Sequence, residues 1–303
     1  MASLGRPGGA RVLAALALLL NAITWGVSWW PFRQLQNLGV HPLWGTAIIY
    51  MVALVLLLTV RPQAWRGFAH YPGLWVLLIA SGLTNIGFNW AVTVGDVVRV
   101  VLLFYLMPAW VVMLAWPLLG ERPTAPSLLR LALALLGVVV VLKTPDSPWP
   151  WPQTMADGLA LMGGLCFALT NVMLRRLHQA PPASGMLAMF GGGAVMAAVV
   201  AQLGVQQGLV DALPPMAGQW LGWVGALSLF FLVGNVGLQY GAARLSASAT
   251  SIIMLSEVVF ASSSAVLLGA GELSLRIVLG GSLILLASLL ATVSLGQFPQ
   301  AST

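Results

Sequence analysis

The chain has 303 residues, of which 59% are hydrophobic and only 7% are charged. Soluble globular domains carry roughly 25% charged residues, so this composition excludes an ordinary soluble protein and predicts an integral membrane protein. The formal net charge of +6 does not indicate a nucleic-acid partner, because the 13 Lys and Arg residues are scattered among short loops. The single cysteine, Cys166, excludes a disulfide framework and a cysteine metal site. We expect no cofactor and no bound metal.

Ten apolar segments approach the roughly 20 residues that a helix needs to cross a bilayer. The first follows Arg6 and Arg11 without a clear small-residue cleavage site, so we expect a retained helix and not a signal peptide. The connections between segments are too short to hold a soluble domain. The sequence therefore predicts an all-α integral membrane protein with ten transmembrane helices. In chain order they cover Val12–Pro31, Leu43–Val60, Gly73–Val92, Val97–Leu119, Ser127–Leu142, Gly158–Leu174, Gly185–Leu203, Trp220–Tyr240, Ser246–Leu268 and Leu275–Leu295.

The distribution of Lys and Arg predicts the orientation, since these residues are retained on the cytoplasmic side of a membrane. If the N-terminus is inside, nine cations face the cytoplasm and four face outward. We therefore expect a multi-pass membrane protein with both termini in the cytoplasm. The inner set is Arg6, Arg11, Arg61, Arg66, Arg122, Arg130, Arg175, Arg176 and Arg244, and the outer set is Arg33, Arg99, Lys143 and Arg276.

An internal repeat relates the two halves of the chain. The stretch Asn85-Ile-Gly-Phe-Asn89-Trp-Ala in the third segment reappears 150 residues later as Asn235-Val-Gly-Leu-Gln239-Tyr-Gly in the eighth. Two halves of five helices follow, residues 1–145 and 146–303. Because five is odd, the second half enters the membrane from the opposite side, and such inverted repeats are typical of secondary transporters.

This pattern resembles the EamA-type permeases of the drug/metabolite transporter superfamily. The motifs that carry the resemblance are Trp25-Gly26 in helix one, Pro108 to Gly120-Glu121 in helix four, and Leu255-Ser-Glu257-Val-Val-Phe-Ala261 in helix nine. In this family, proline commonly follows the glutamate of helix nine; here Val258 takes that place. Pro108 predicts a kink in helix four, since an internal proline removes a backbone hydrogen bond. The resemblance implies export of amino acids or related metabolites across the bacterial inner membrane.

Glu257 is the ionisable residue of greatest interest. It lies in about 23 residues with no other ionisable group, where a carboxylate must be paired, hydrated or protonated. We expect its helix face, which includes Thr250, to line a small central cavity. One interpretation makes Glu257 a proton-coupling or cation-binding residue that is exposed alternately to the two sides. The other makes it a structural residue, held by a neighbouring hydroxyl or amide.

Uncharged polar and aromatic side chains complete the candidate substrate site. The two amide pairs of helices three and eight either bind a polar substrate or join the halves through interhelical hydrogen bonds. Aromatic residues on several helices could form an apolar wall around them. The candidate substrate-binding residues are Asn21, Trp25, Ser28, Asn85, Asn89, Tyr105, Asn171, Asn235, Gln239, Thr250 and Glu257.

A secondary transporter with a small-molecule substrate, embedded in the lipid bilayer as a monomer, fits these observations best. The alternative within this class is a multidrug or organic-cation/proton antiporter, for which an acidic residue in an aromatic cavity is a natural site. An enzyme is not expected, because the three histidines fall in loops and no carboxylates cluster. A channel is not indicated, since no charged ring or filter-like loop is present. Asp96 and Arg99 are expected to form an ion pair or a gate at the outer mouth.

Overall fold

The structure is a computed structural model that describes residues 7–95, 97–143, 152–215, 218–269 and 274–293. Its regular elements are helical, and a 3₁₀ turn at Ala64–Arg66 precedes the third α-helix. The α-helices are α1 Pro7–Asn37, α2 Pro42–Val60, α3 Gly67–His70, α4 Gly73–Val94, α5 Val97–Phe104, α6 Met107–Leu119, α7 Ala125–Leu142, α8 Met155–Arg176, α9 Pro182–Gln206, α10 Gly218–Ala242, α11 Ala247–Met254, α12 Glu257–Leu267 and α13 Leu275–Val293.

The prediction of an all-α membrane protein is confirmed. Among the described residues, 9 helical stretches are long and apolar enough to cross a bilayer. The tenth predicted segment corresponds to α13, whose apolar stretch Leu275–Ala291 is shorter than the others, so ten spans remain a prediction. The predicted junction of the halves at residues 145–146 lies outside the described residues, as do Arg6, Asp96, Asp146 and Glu272.

The predicted end of the first helix at Pro31 is wrong, because α1 continues to Asn37 with Pro31 inside it. A proline removes one backbone hydrogen bond, but packing can hold the helix together around the gap. Here Leu35 is 1% exposed and packs with the half-buried Phe32 in a cluster that includes residues of α2, α9 and α10. These apolar contacts beyond the proline stabilise the last two turns of α1.

The fourth and ninth predicted segments are each broken in the middle. The first break lies between α5 and α6 at residues 105–106, and the second between α11 and α12 at residues 255–256. The two breaks are thus 150 residues apart, the offset of the sequence repeat. After the first break, Pro108 occupies the opening turn of α6, where the lack of an N–H costs nothing.

The second break forms without a proline. Leu255 and Ser256 donate their amides to the carbonyls of Ile252 and Ile253, three residues back, so the chain tightens to 3₁₀ geometry. The Ser256 hydroxyl also donates to the Ile253 carbonyl at 2.7 Å. Such side-chain bonds compete with the helical pattern and bend helices. The break therefore places Glu257 at the first position of α12.

The main helix contacts join the first five predicted segments to the last five. Helix α1 packs on α10 and α12, α4 on α8 and α9, α2 on α9, and α7 on α13. Several contacts are close because glycine lies at the crossing. A Cβ on Gly137 would lie 2.7 Å from the Gly280 carbonyl oxygen, for example. Small residues let membrane helices approach in this way.

The α4–α8 crossing provides a test of this packing. A Cβ at Gly87 would lie 2.7 Å from the Leu159 carbonyl oxygen and 2.8 Å from Gly163 Cα, both backbone atoms of α8. We expect Gly87→Ala to destabilise the protein by about 1–3 kcal/mol, as overpacked sites do. Gly222→Ala is the matched control, since no atom lies within 4 Å of its added Cβ. It should be neutral or stabilise α10 by up to about 1 kcal/mol.

Unfolding of the two variants in detergent would measure the contrast. Equal stability of the two variants would contradict a rigid backbone contact at this crossing.

Candidate functional site

A small cavity lies where six helices from both parts of the chain meet. Its volume is ≈ 50 Å³, far below the roughly 300–1,000 Å³ of a pocket for a drug-sized ligand. A cavity of this size has room for only a few water molecules. Among the described residues, no Asp, Glu, Lys or Arg lines it. The lining residues are Asn21 and Trp25 of α1, Tyr50 of α2, Ser81, Thr84 and Asn85 of α4, Phe167 and Thr170 of α8, Met189 and Phe190 of α9, and Phe231, Asn235 and Leu238 of α10.

Aromatic rings form one wall of the cavity. The Trp25 and Phe231 rings lie 4.7 Å apart between centroids, and Tyr50 contacts Phe190 edge-on at 5.3 Å. Tyr50 also meets Phe231 at 6.0 Å, so rings of α1, α2, α9 and α10 form a connected group. Tilted and edge-to-face pairs of this kind pack more favourably than stacked sandwiches. The wall is apolar and joins the two parts of the chain.

The polar wall has hydrogen-bonding capacity that the protein satisfies poorly. The side-chain amides of Asn21 and Asn235 donate to the sulfur atoms of Met254 at 3.4 Å and Met189 at 3.5 Å. A thioether is a weak acceptor. Thr170 is 1% exposed, and its hydroxyl has no hydrogen-bond partner within the described part of the chain. A ligand with polar groups would satisfy these atoms better than the protein does.

Glu257 lies outside this cavity. The Tyr105 hydroxyl donates to Glu257 Oε1 at 3.1 Å, which joins the two helix breaks. A Cβ on Gly26 would lie 2.8 Å from the Glu257 carbonyl oxygen, so α1 contacts the start of α12 here. Trp25, the preceding residue of α1, lines the cavity. The backbone of Glu257 and the cavity therefore contact adjacent residues of α1, Gly26 and Trp25.

The structure brings together some of the predicted site residues and separates others. Asn21, Trp25, Asn85 and Asn235 line one cavity, as expected. The Glu257 face, which was expected to line a central cavity, is not part of this lining, and its role in substrate binding stays a prediction. The predicted residues off the lining are Ser28, Asn89, Tyr105, Asn171, Gln239, Thr250 and Glu257.

Most of these remaining residues bond to nearby backbone or neighbouring helices. Ser28 donates to the Trp25 carbonyl at 2.8 Å, and Asn171 donates to the Phe167 carbonyl at 3.1 Å. The Asn171 Oδ1 and Thr250 Oγ1 atoms are buried with no partner among the described residues. Neither residue lines the cavity.

The amide pairs do not join the two halves through hydrogen bonds, as one interpretation supposed. Asn89 donates to the Thr46 hydroxyl at 2.8 Å, which links α4 to α2. Gln239 donates to Met189 Sδ at 3.3 Å, which links α10 to α9. Each of these bonds therefore stays within its own half.

The sequence did not predict most of the aromatic wall, nor the threonine hydroxyl of the polar wall. Tyr50, Phe190 and Phe231 lie in apolar segments with no polar pattern that marks an inward face. Thr170 directly precedes Asn171, whose amide is the more conspicuous polar group in this segment. The repeat offered a usable signal, since the lining residues come from the first three predicted segments of each half.

A buried ion pair closes one end of the bundle. Arg99 donates from Nε to Asp157 Oδ1 at 2.7 Å and from Nη2 to Oδ2 at 2.8 Å. Asp157 is 1% exposed and also accepts the backbone amides of Gln153 and Thr154 at 2.8 Å. The pair joins α5 to the first turn of α8. The expected partner Asp96 lies outside the described residues, and Asp157 is a partner that spacing along the chain did not indicate.

A second polar cluster joins helices at the opposite end of α8. Glu121, just after α6, accepts the Ala247 amide at 3.1 Å and lies 3.7 Å from Arg175 Nε. Arg175 also donates to the Ala243 carbonyl at 2.6 Å. Burial raises the pKa of Glu121 above its ordinary value, although the Ala247 amide and the Arg175 charge oppose that effect. This link therefore weakens at a less acidic pH than one made by an exposed glutamate.

Comparison with known proteins agrees with this fold. A crystal structure of a protein that is 18% identical superposes with a TM-score of 0.73, over 93% of this chain and 96% of that chain. At that identity the likeness shows the fold alone. Comparison with curated proteins gives no match. Residues 12–143 match the model of the EamA-like transporter family, whose members are transporters rather than enzymes.

The match covers the helices α1 to α7, which supply Asn21, Trp25, Tyr50 and Asn85 to the cavity. This part of the chain is thus similar to the EamA-like transporter family, which agrees with the resemblance seen in the sequence and implies a membrane transporter of the drug/metabolite transporter type.

Proposed function

We propose that this protein is a secondary transporter that exports a small polar metabolite, such as an amino acid, by alternating access. The observation that carries the proposal is the charge-free cavity between helices of both halves, with poorly satisfied amides facing an aromatic wall. Pockets for small molecules combine apolar walls with a few polar groups in this way. The contracted cavity corresponds to a closed state that widens to admit the substrate.

The rocking units are two inverted five-helix repeats, residues 1–145 and 146–303. Two observations support this division. The breaks in the fourth and ninth segments are 150 residues apart, and α5 and α11 begin and end at the same offset. Helices α1 and α8 are the first segments of the two halves, and α4 and α10 are the third. The contact α1–α10 therefore corresponds to the contact α8–α4 when the halves are exchanged, and both contacts are present. In transporters of this design the substrate site lies where the repeats meet.

The lining favours an uncharged or zwitterionic substrate. Amides supply both donors and acceptors, so they match the ammonium and carboxylate groups of an amino acid. An organic-cation antiporter, the alternative, would need a carboxylate at the cavity, and the described lining includes none. The aromatic wall then contacts an apolar side chain of the substrate.

Glu257 provides the coupling site in this proposal. It has a hydroxyl partner, Tyr105, and it contacts α1 beside Trp25. Protonation of the carboxylate changes its hydrogen bond with Tyr105 at the helix break. The backbone contact between Glu257 and Gly26 carries this change to α1 and so to Trp25 at the cavity. Proton movement through Glu257 would thus drive export.

The cellular setting follows from the arginine distribution and the composition. We propose a monomer in the bacterial inner membrane, with both termini in the cytoplasm and no nucleic-acid partner.

Ligand-induced stabilisation tests the cavity. A ligand that binds only the native state at 100 times its Kd stabilises it by about 2.7 kcal/mol. The purified protein would be heated with amino acids, nucleosides, polyamines and quaternary cations at two pH values. We expect stabilisation by one or more amino acids.

Thr170→Val makes the test specific. Removing a buried hydroxyl without a partner should leave the free protein equally stable or more stable, while it weakens ligand binding about tenfold. Thr24→Val is the matched control, since Thr24 is buried off the cavity and donates to its own helix at 2.9 Å. Stabilisation by quaternary cations, or equal ligand effects in both variants, would contradict the proposal.

A further inference from the structure

A second and larger depression lies far from the cavity, at the ends of three membrane helices. Its volume is ≈ 590 Å³. The lining begins at Val60, the last residue of α2, includes Tyr71 just before α4, and includes Pro181 just before α9. Because helix ends mark the boundary of the hydrocarbon layer, this depression lies at the level of the lipid headgroups. In the orientation predicted from the arginine distribution, it faces the cytoplasm.

The depression is basic. Arg61, Arg66 and His70 line it, and none of its described lining residues is acidic. Arg66 donates to Gln63 at 3.3 Å and lies over the ring of Trp65, so its guanidinium is positioned without a carboxylate. Three basic side chains near one another with no acidic neighbour create a positive potential that favours an anion.

The floor of the depression is built by hydrogen bonds between two loops. Ser184, in the first turn of α9, is 1% exposed and donates to the Ala64 carbonyl at 2.6 Å. Tyr71 donates from its hydroxyl to the Gln179 carbonyl at 3.2 Å. A Cβ on Gly67 would overlap the Ser184 side chain, so the chain passes as closely as glycine allows. The shape is thus set by the fold and does not depend on the basic side chains.

Exposed aromatic residues beside the depression indicate contact with lipid. Trp65 is 61% exposed and Trp75 is 56% exposed. The Trp75 ring packs edge-on against Phe68 with 4.8 Å between centroids. Tryptophan is enriched at the membrane–water interface, where its ring lies among headgroups. An occupant of the depression would therefore have its acyl chains alongside these rings.

We propose that this depression binds the phosphate-bearing headgroup of an anionic phospholipid from the cytoplasmic leaflet. Arg61 and Arg66 contact the phosphate, and His70 contributes a further hydrogen bond. Basic pockets between membrane helices on this side suit such headgroups. The bound lipid bridges the loop after α2 and the loop before α9, and so links the two halves of the chain. The site is independent of what the cavity transports.

Native mass spectrometry of the delipidated full-length protein tests the assignment. The probes are phosphatidylglycerol, phosphatidylcholine and inorganic phosphate. We expect phosphatidylglycerol to bind more tightly than phosphatidylcholine. In the double variant Arg61→Gln/Arg66→Gln, the affinity for phosphatidylglycerol should fall about 25-fold. Each arginine near the membrane surface contributes about fivefold to the affinity for an anionic lipid.

Matched variants separate this site from general charge effects. Arg122→Gln/Arg176→Gln removes the same charge from two exposed positions outside the depression and should retain the preference. Arg61→Lys/Arg66→Lys keeps the charge and should retain most of it, which also controls for misfolding. Equal binding of both lipids, or equal loss in the control pair, would overturn the proposal. Competition by millimolar inorganic phosphate would assign the site to free phosphate and overturn the lipid assignment.

Discussion

Replacing Glu257 with glutamine should abolish proton-driven transport while substrate exchange at equal concentrations persists. Glutamine keeps the size of the side chain and a partner for the Tyr105 hydroxyl, 3.1 Å from Glu257 in the native protein. It cannot gain or lose the proton. If one proton moves per substrate, a pH difference of one unit sustains about a tenfold substrate gradient in the wild type. In Glu257→Gln that gradient should fall to unity.

Proteoliposomes with a pH-sensitive dye inside measure both quantities, since substrate addition moves protons only in a coupled protein. The substrate is the amino acid that stabilises the protein most. Glu257→Asp is the matched control: it keeps a titrating carboxylate at the start of α12 and should retain proton movement. Tyr105→Phe removes the hydrogen bond alone and should also remain coupled. Wild-type proton flux in Glu257→Gln across a pH range would rule out this role and leave a structural one.

The length and position of the apolar segments predict some features of this fold and not others. The membrane class and the segment positions were predictable, because the solvent requires long apolar helices whatever their contacts. The end of α1 was not predictable, since Pro31 is a strong local signal that the packing of Leu35 overrides. Similarly, the break before Glu257 was not predictable, because it depends on a serine hydroxyl and on 3₁₀ hydrogen bonds. No proline marks its position in the sequence.

The candidate site was predictable only where polar residues mark it. Asn21, Asn85 and Asn235 are costly inside a membrane, so their positions indicated an interior surface. Tyr50 and Phe231 carry no such signal, because an aromatic residue in an apolar segment faces lipid as readily as a cavity. The position of Glu257 behind α1 depends on how α1, α11 and α12 pack, and no single segment contains that information.

The ion pair between α5 and α8 also could not be predicted from one segment alone. Arg99 has an acidic neighbour in the sequence, Asp96, and spacing along one helix predicts that these two residues pair. Asp157 is 58 residues away, and its carboxylate is held by the amides of Gln153 and Thr154 at the start of α8. A partner at that separation is specified by the packing of α5 on α8, which spacing rules along one helix do not describe.

Removing either member of the Arg99–Asp157 pair should have the largest effect on stability of any single polar substitution considered. Breaking a buried pair leaves an uncompensated charge and costs about 3–5 kcal/mol. Asp157 is 1% exposed and Arg99 is 16% exposed, so solvent compensates little. We expect Arg99→Gln and Asp157→Asn each to lower the free energy of unfolding by about 3 kcal/mol. Reversible unfolding in mixed detergent micelles measures the change.

The double variant separates the pair from the helix cap. Asp157→Asn keeps one oxygen for the backbone amides of Gln153 and Thr154, whereas the bidentate contact with Arg99 is lost. If the pair acts as a unit, Arg99→Gln/Asp157→Asn should cost little more than either single change, with a coupling energy of about 2–3 kcal/mol. Arg276→Gln is the exposed control and should change stability by less than about 0.5 kcal/mol. Additive single effects would show that α5 and α8 are held by packing alone. A large coupling energy would mean that opening this end of the bundle first requires separating two charges.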